Sequence, residues 1–183
     1  MRQYTIAVVV GSLRQDSFNR AVAQAIMKLA PADFTFKEIS IAALPLYNQD
    51  ADGHEEEAVL RFRQEIAASD AILFATPEYN RSIPGVLKNA IDQGSRPWGK
   101  SVWAGKPAAV IGVSPGIMGT ALAQQHLKNV LSFLGMPTLC QPEIYLQFKE
   151  GLLDENGDIG KASKGFLRTF MDAYAAWVKQ HLA

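Results

Sequence analysis

The chain has 183 residues, 48% hydrophobic and 20% charged, which is enough for one folded domain with a real core. Its 18 basic and 18 acidic residues cancel, so nothing favours a partner held by bulk charge, whether nucleic acid or an anionic membrane. No apolar run approaches the roughly 18 residues needed to cross a bilayer, and the lone Cys140 excludes an intramolecular disulfide and is expected to be a buried, inert thiol.

Residues 4–10 read as a strand, because the β-branched run Ile6 to Val10 is continuous and apolar. The chain enters this strand almost at once, so no signal peptide is expected and the cytoplasm is the expected compartment. A loop of small polar residues follows Gly11, and a helix is expected over 16–30 with Val22, Ile26, Leu29 and Ala30 inward. Strand, polar loop and helix N-terminus together make a recipe for an anion site. The first N–H groups of a helix lack internal acceptors, and the helix dipole adds partial positive charge there. Ser12, Ser17 and Asn19 supply neutral donors and Arg14 a cation, a set suited to a terminal phosphate. The competing reading is an ordinary turn capped by Asp16 or Ser17. Only Gly11 occupies the loop, so Gly-x-Gly-x-x-Gly is absent, and so is the P-loop motif.

The elements continue in alternation. A strand is expected at 35–39, then a long loop at 41–53 carrying Leu44-Pro45-Leu46-Tyr47, then a helix at 55–68. A fully apolar strand follows at 71–76 and a short helix at 84–93. A fourth strand lies at 108–113, a helix at 120–134, a fifth strand within 138–146, and a last helix at 161–182. Apolar strands separated by amphipathic helices imply a parallel sheet covered on both faces. The fold class expected is a doubly wound α/β domain spanning 1–183, with five parallel strands in the order 2-1-3-4-5 and helices on both faces.

Ligands of such sheets lie beyond the strand C-termini, at the switch point between strands 1 and 3. Three loops meet there: the phosphate candidate, Thr76 to Gly85 after strand 3, and Ser114 to Thr120 after strand 4. The latter two are rich in Gly and Pro, which bring backbone close to a flat ligand. One phosphate loop beside two planar-ligand loops suggests a mononucleotide with an aromatic ring system, such as FMN.

The stretch Gly11-Ser12-Leu13-Arg14-Gln15-Asp16-Ser17-Phe18-Asn19 resembles the Gly-Ser-x-Arg-x-x-Ser-x-Asn phosphate loop of the NADPH-dependent FMN reductases. Pro77-Glu78-Tyr79-Asn80, then Ser82-Ile83-Pro84-Gly85 and Leu87-Lys88-Asn89-Ala90-Ile91-Asp92, resembles their flavin-ring segment. The likeness spans essentially the whole chain and is closest to the bacterial chromate and quinone reductase branch. One departure is Gly119-Thr120, where that family often has Gly-Gly. The resemblance implies a flavodoxin-like fold, noncovalent FMN, NADPH or NADH as donor, quinones and chromate as acceptors, and a homodimer or homotetramer. It implies phosphate contacts from Ser12, Arg14, Ser17, Asn19 and the backbone of Phe18. Pro77, Glu78, Tyr79 and Asn80 would line the ring, largely through backbone, and Ser114, Gly116 and Gly119 would close over the ribityl and pyrimidine side. The chemistry would belong to the flavin, with no obligatory protein acid or base.

Alternatives of another class are a flavodoxin-type electron carrier and an FMN-holding redox sensor, neither turning over NAD(P)H. The three histidines, His54, His126 and His181, are too scattered for a metal site and are expected on helix surfaces. Glu55, Glu56 and Glu57 are expected to cap a helix. Trp98 and Trp103 are read as core, subunit interface or substrate wall, with interface or wall favoured, and Tyr47 either reaches a neighbouring subunit's flavin or plugs the surface.

Overall fold

A computed structural model describes residues 2–183. Five strands form one parallel sheet: β1 (Tyr4–Val10), β2 (Phe34–Glu38), β3 (Ala71–Ala75), β4 (Ala108–Ser114) and β5 (Ile144–Gln147). Their order in space is β2-β1-β3-β4-β5, so the chain reverses direction across the sheet between β1 and β3. The helices are α1 (Phe18–Met27), α2 (Glu57–Ala67), α3 (Gly85–Gly94), α4 (Ala121–Phe133) and α5 (Lys161–His181).

The helices divide the core into two layers. On one face the even-numbered side chains of β1, Ile6, Val8 and Val10, pack with Val22 and Ile26 of α1 and with Leu167, Phe170 and Met171 of α5. On the other, Ala7 and Val9 pack with Phe62, Leu87 and Leu127 from α2, α3 and α4. Alternation along a strand sends successive side chains to opposite layers, so a fully covered strand must be apolar throughout. β3, with all five residues buried, meets that requirement.

Several expectations shift. α1 ends at Met27, so Leu29, still buried, lies past its last turn. β5 begins late, at Ile144, and runs one residue beyond the expected window. Trp103 is core and not wall or interface: it is 0% exposed, packs near Phe62 and Phe74, and its indole N–H donates to the Ile91 carbonyl at 2.9 Å. Trp98, by contrast, is 79% exposed. Cys140 is exposed, not buried, because it lies in the irregular stretch between the Thr138 bridge and the bend that leads into β5. His54 lies in the loop before α2, off any helix. α2 starts at Glu57 with Glu56 at its N-cap, while Glu55 instead pairs with Arg63 at 2.9 Å.

Candidate cofactor site

The site grows from the end of β1. Gly11 closes the strand, its N–H donating to the Ala75 carbonyl at 2.8 Å. A Cβ here would lie 3.0 Å from Leu87 Cδ2, so a glycine lets the loop leave close over α3. The loop then turns into α1. Ser17 is the N-cap, its hydroxyl oxygen accepting from the Arg20 N–H at 3.2 Å. The ordinary-cap reading is therefore correct for Ser17. It does not exclude an anion, because among the described residues the N–H groups of Phe18 and Asn19 have no protein acceptor. These are the two donors a helix N-terminus offers to a ligand.

Arg20 braces the loop from behind. Its guanidinium binds Glu38 at 2.8 Å and donates to the carbonyls of Arg14 at 3.1 Å and Ser12 at 3.4 Å. Holding those carbonyls inward leaves the loop's N–H side facing out. Arg14 is exposed, without a carboxylate partner among the described residues. Its guanidinium lies over the Phe18 ring at 5.2 Å, and Phe18 stacks on Phe148 at 3.9 Å. A flat guanidinium parked on an aromatic face is oriented without being neutralised.

Ser12, Arg14, Ser17, Phe18, Asn19, Pro77, Glu78, Tyr79 and Ser114, all expected from sequence, line one cavity of about 110 Å³ together with Val113 and Pro115. Asn80, Gly116 and Gly119 do not line it. Gly119, at φ +54°, is pressed against β5, where a Cβ would sit 2.5 Å from the Tyr145 carbonyl carbon. Asn19 has a structural task as well: its side-chain amide exchanges two 3.0 Å hydrogen bonds with the backbone of Val113, stitching α1 to β4. Thr120 takes the left-handed conformation, φ +71°, that glycine adopts readily.

Arg20, Phe148 and Val113 were not anticipated. Arg20 was legible as the residue that follows the loop motif. Phe148 and Val113 carry no local signal, since only the register of β4 and β5 brings them to α1.

The wall after β3 is a tight turn. Tyr79 and Ser82 exchange two backbone hydrogen bonds of 3.0 Å. Between them Asn80 (φ 52°) and Arg81 (φ 66°) both occupy the left-handed region. This is the pattern of a type I′ turn, usually made with glycine.

The donor set fits the phosphate end of FMN: two open helix N–H groups, two serine hydroxyls and an unpaired arginine around one cavity. The sheet order and the anion loop beside its switch point define a flavodoxin-like flavoprotein. A family model described as NADPH-dependent FMN reductase matches residues 4–151. A 2-hydroxy-1,4-benzoquinone reductase of Burkholderia sp is 54% identical, aligned over 95% of this chain and 96% of its own. A quinone reductase of Pseudomonas putida is 50% identical over 98% of this chain and 97% of its own. Among solved structures, FerB, a flavoenzyme NAD(P)H:(acceptor) oxidoreductase from Paracoccus denitrificans, superposes with a TM-score of 0.93 at 45% identity, covering 97% of this chain and 98% of that one. The chain belongs to the NADPH-dependent FMN reductase family. It is an oxidoreductase with FMN and NAD(P)H as cofactors.

Proposed function

We propose that this enzyme passes two electrons from NAD(P)H to quinones in the cytoplasm, with oxyanions such as chromate as a second class of acceptor. The observation that carries the reading is the single cavity joining the phosphate donors to the Pro77–Tyr79 wall. Bound FMN would supply hydride acceptance and onward electron transfer. The rest is positioning by the chain. Phe18 and Asn19 N–H groups, Ser12, Ser17 and Arg14 hold the phosphate. Pro77 to Asn80 present backbone to the ring, and Ser114, Gly116 and Gly119 flank its other side. In the net reaction the nicotinamide gives up a hydride, and the quinone gains two electrons and two protons, one of them from solvent. The names of the Burkholderia and Pseudomonas relatives support quinones as acceptors. No described helix is long and apolar enough to cross a membrane.

The active species in this proposal is a homodimer or homotetramer. A groove of about 570 Å³ between the end of α3 and α4 is lined by Ile91, Trp98, Val130 and Phe133. Trp98 and Phe133 are each 79% exposed there. Tyr47 is held on its own subunit, its N–H donating to Asn89 Oδ1 at 2.8 Å and its ring under Arg96 at 5.4 Å. Its neighbour Leu46 projects outward, so this loop would present Leu46 across a dimer.

The test is spectroscopic. The purified protein is expected to be yellow, to release FMN and not FAD on denaturation, and to bleach when NADPH is added without oxygen. Adding a benzoquinone should restore the colour. A protein that is colourless and fails to bind added FMN ends this reading. Bleaching without recovery on quinone would leave an FMN protein that is not a quinone reductase.

A further inference from the structure

Helix α4 has no cap of its own. Its N-cap residue, Thr120, is left-handed and makes no capping hydrogen bond. The Thr120 hydroxyl instead accepts from Gln124 Nε2 at 3.0 Å. The N–H groups an N-cap would normally satisfy are those of the second and third helical residues. Here Leu122 and Ala123 donate them to a carboxylate oxygen from another loop, Glu78 Oε2, at 3.0 and 3.1 Å. A carboxylate at this end also meets the positive pole of the helix. The other Glu78 oxygen faces Arg81 at 3.8 Å, and its side chain is only 12% exposed. One turn further along α4, His126 Nδ1 lies 2.6 Å from the Ser82 hydroxyl.

Glu78 and Ser82 bracket the Tyr79–Ser82 turn, so both of its shoulders are fastened to α4. Between the shoulders sit two non-glycine residues in the left-handed region, a conformation that costs energy and relaxes unless its surroundings hold it. We infer that Glu78 and the Ser82–His126 pair are positioning residues, a clamp that holds the ring-side turn in its left-handed form against α4. The inference rests on the assignment of the 77–80 segment to the flavin ring. It gives the side chain of Glu78 a duty separate from the backbone contacts proposed for it. The loops after β3 and β4 then move as one body, because the clamp ties the first to the helix that the second leads into.

The test compares two ligands, FMN and riboflavin, titrated into apoprotein by flavin fluorescence. They share the ring and differ in the phosphate. Glu78→Ala is expected to weaken both by the same factor, tenfold or more. Glu78→Gln keeps an acceptor oxygen and should recover most of the loss. Ser82→Ala and His126→Ala, at an exposed contact, should each weaken both flavins equally, by threefold or more. These two variants decide the matter if Glu78→Ala does not fold. Flavin affinities within twofold of wild type, with only the apoprotein melting temperature lowered, would overturn the clamp. So would a loss confined to FMN. Arg14→Ala is the separate control on the site: it should weaken FMN alone, and an effect on both flavins or neither would refute the phosphate assignment and not the clamp.

Discussion

Arg14 and Asn19 sit five residues apart in one motif, yet the structure gives them different work. Arg14 is free to meet a ligand, whereas the Asn19 amide is joined to Val113. An arginine bonded to a phosphate contributes about 1.5–3 kcal/mol, or roughly 10- to 150-fold in affinity. Arg14→Ala is therefore expected to lower FMN affinity by that factor while leaving the apoprotein's melting temperature unchanged. Asn19→Ala should do the reverse in emphasis. It strands a buried N–H and a buried carbonyl on β4, at a cost of roughly 2–4 kcal/mol. For a domain of this size the melting temperature should fall by about 5–15 °C. Calorimetry on the two apoproteins separates the roles. An unchanged melting temperature in Asn19→Ala would show that the stitch between α1 and β4 carries no load.

At the scale of elements, the site depends on how closely α4 approaches β4. Gly112 makes that approach possible. A Cβ on it would lie 1.9 Å from Thr120 Oγ1 and 2.6 Å from the Thr76 carbonyl. The first neighbour is a side chain, but the second is backbone at the start of the loop after β3. Gly112→Ala must therefore push α4 outward or shift residue 76, and overpacking of this kind costs about 1–3 kcal/mol or more. We expect lowered stability in denaturant titration. Adding Thr120→Gly should recover only part of the loss, since the clash with Thr76 remains. Full recovery in the double variant would mean that backbone contact is not limiting. Gln124 adds to the same junction, donating to Thr120 and to the Ile144 carbonyl while its own side-chain oxygen is left without a protein partner. The N-terminus of α4 is thus located by β4, β5 and the loop after β3 together.

For the whole molecule, the apolar groove beside Trp98 and Phe133 and the projecting Leu46 predict self-association. Light scattering over a dilution series should give about 40 or 80 kDa from the 20.0 kDa chain, with specific activity following the larger species. A fully active monomer would refute it. Acid should unfold the protein in a defined range. Hydrogen bonding from Lys179 holds Asp33 below its ordinary value of 3.8. Backbone N–H groups hold Glu55 below 4.5, and Lys128 does the same for Glu143. A carboxylate with a lowered folded-state pKa stabilises the fold above its ordinary value and loses that contribution as the pH falls through the lowered one. The melting temperature should therefore be flat between neutrality and about pH 5 and fall increasingly below 4.5. Glu143→Gln should reduce the slope of that fall, and an unaltered slope would remove Glu143 from the set.

Sequence by itself determined the alternation of strands and helices, the sheet order that follows from it, and the polar loop that opens onto the N-terminus of α1. Each of these is written in local signals. A buried parallel strand must be apolar along its whole length, as β3 is, and a helix that follows a short polar loop must expose its first N–H groups. Tertiary structure decided which polar groups remain open for a ligand. Asn19 and Glu78 look alike as ligand contacts in a motif, but their side-chain atoms are engaged by Val113 and by Leu122 and Ala123, partners 94, 44 and 45 positions away in the chain. It also decided the fate of aromatic residues: Trp103 fills the core under α3 while Trp98, five residues earlier, faces out. Composition and spacing cannot separate those two, because burial is settled by which helix lies over which face of the sheet.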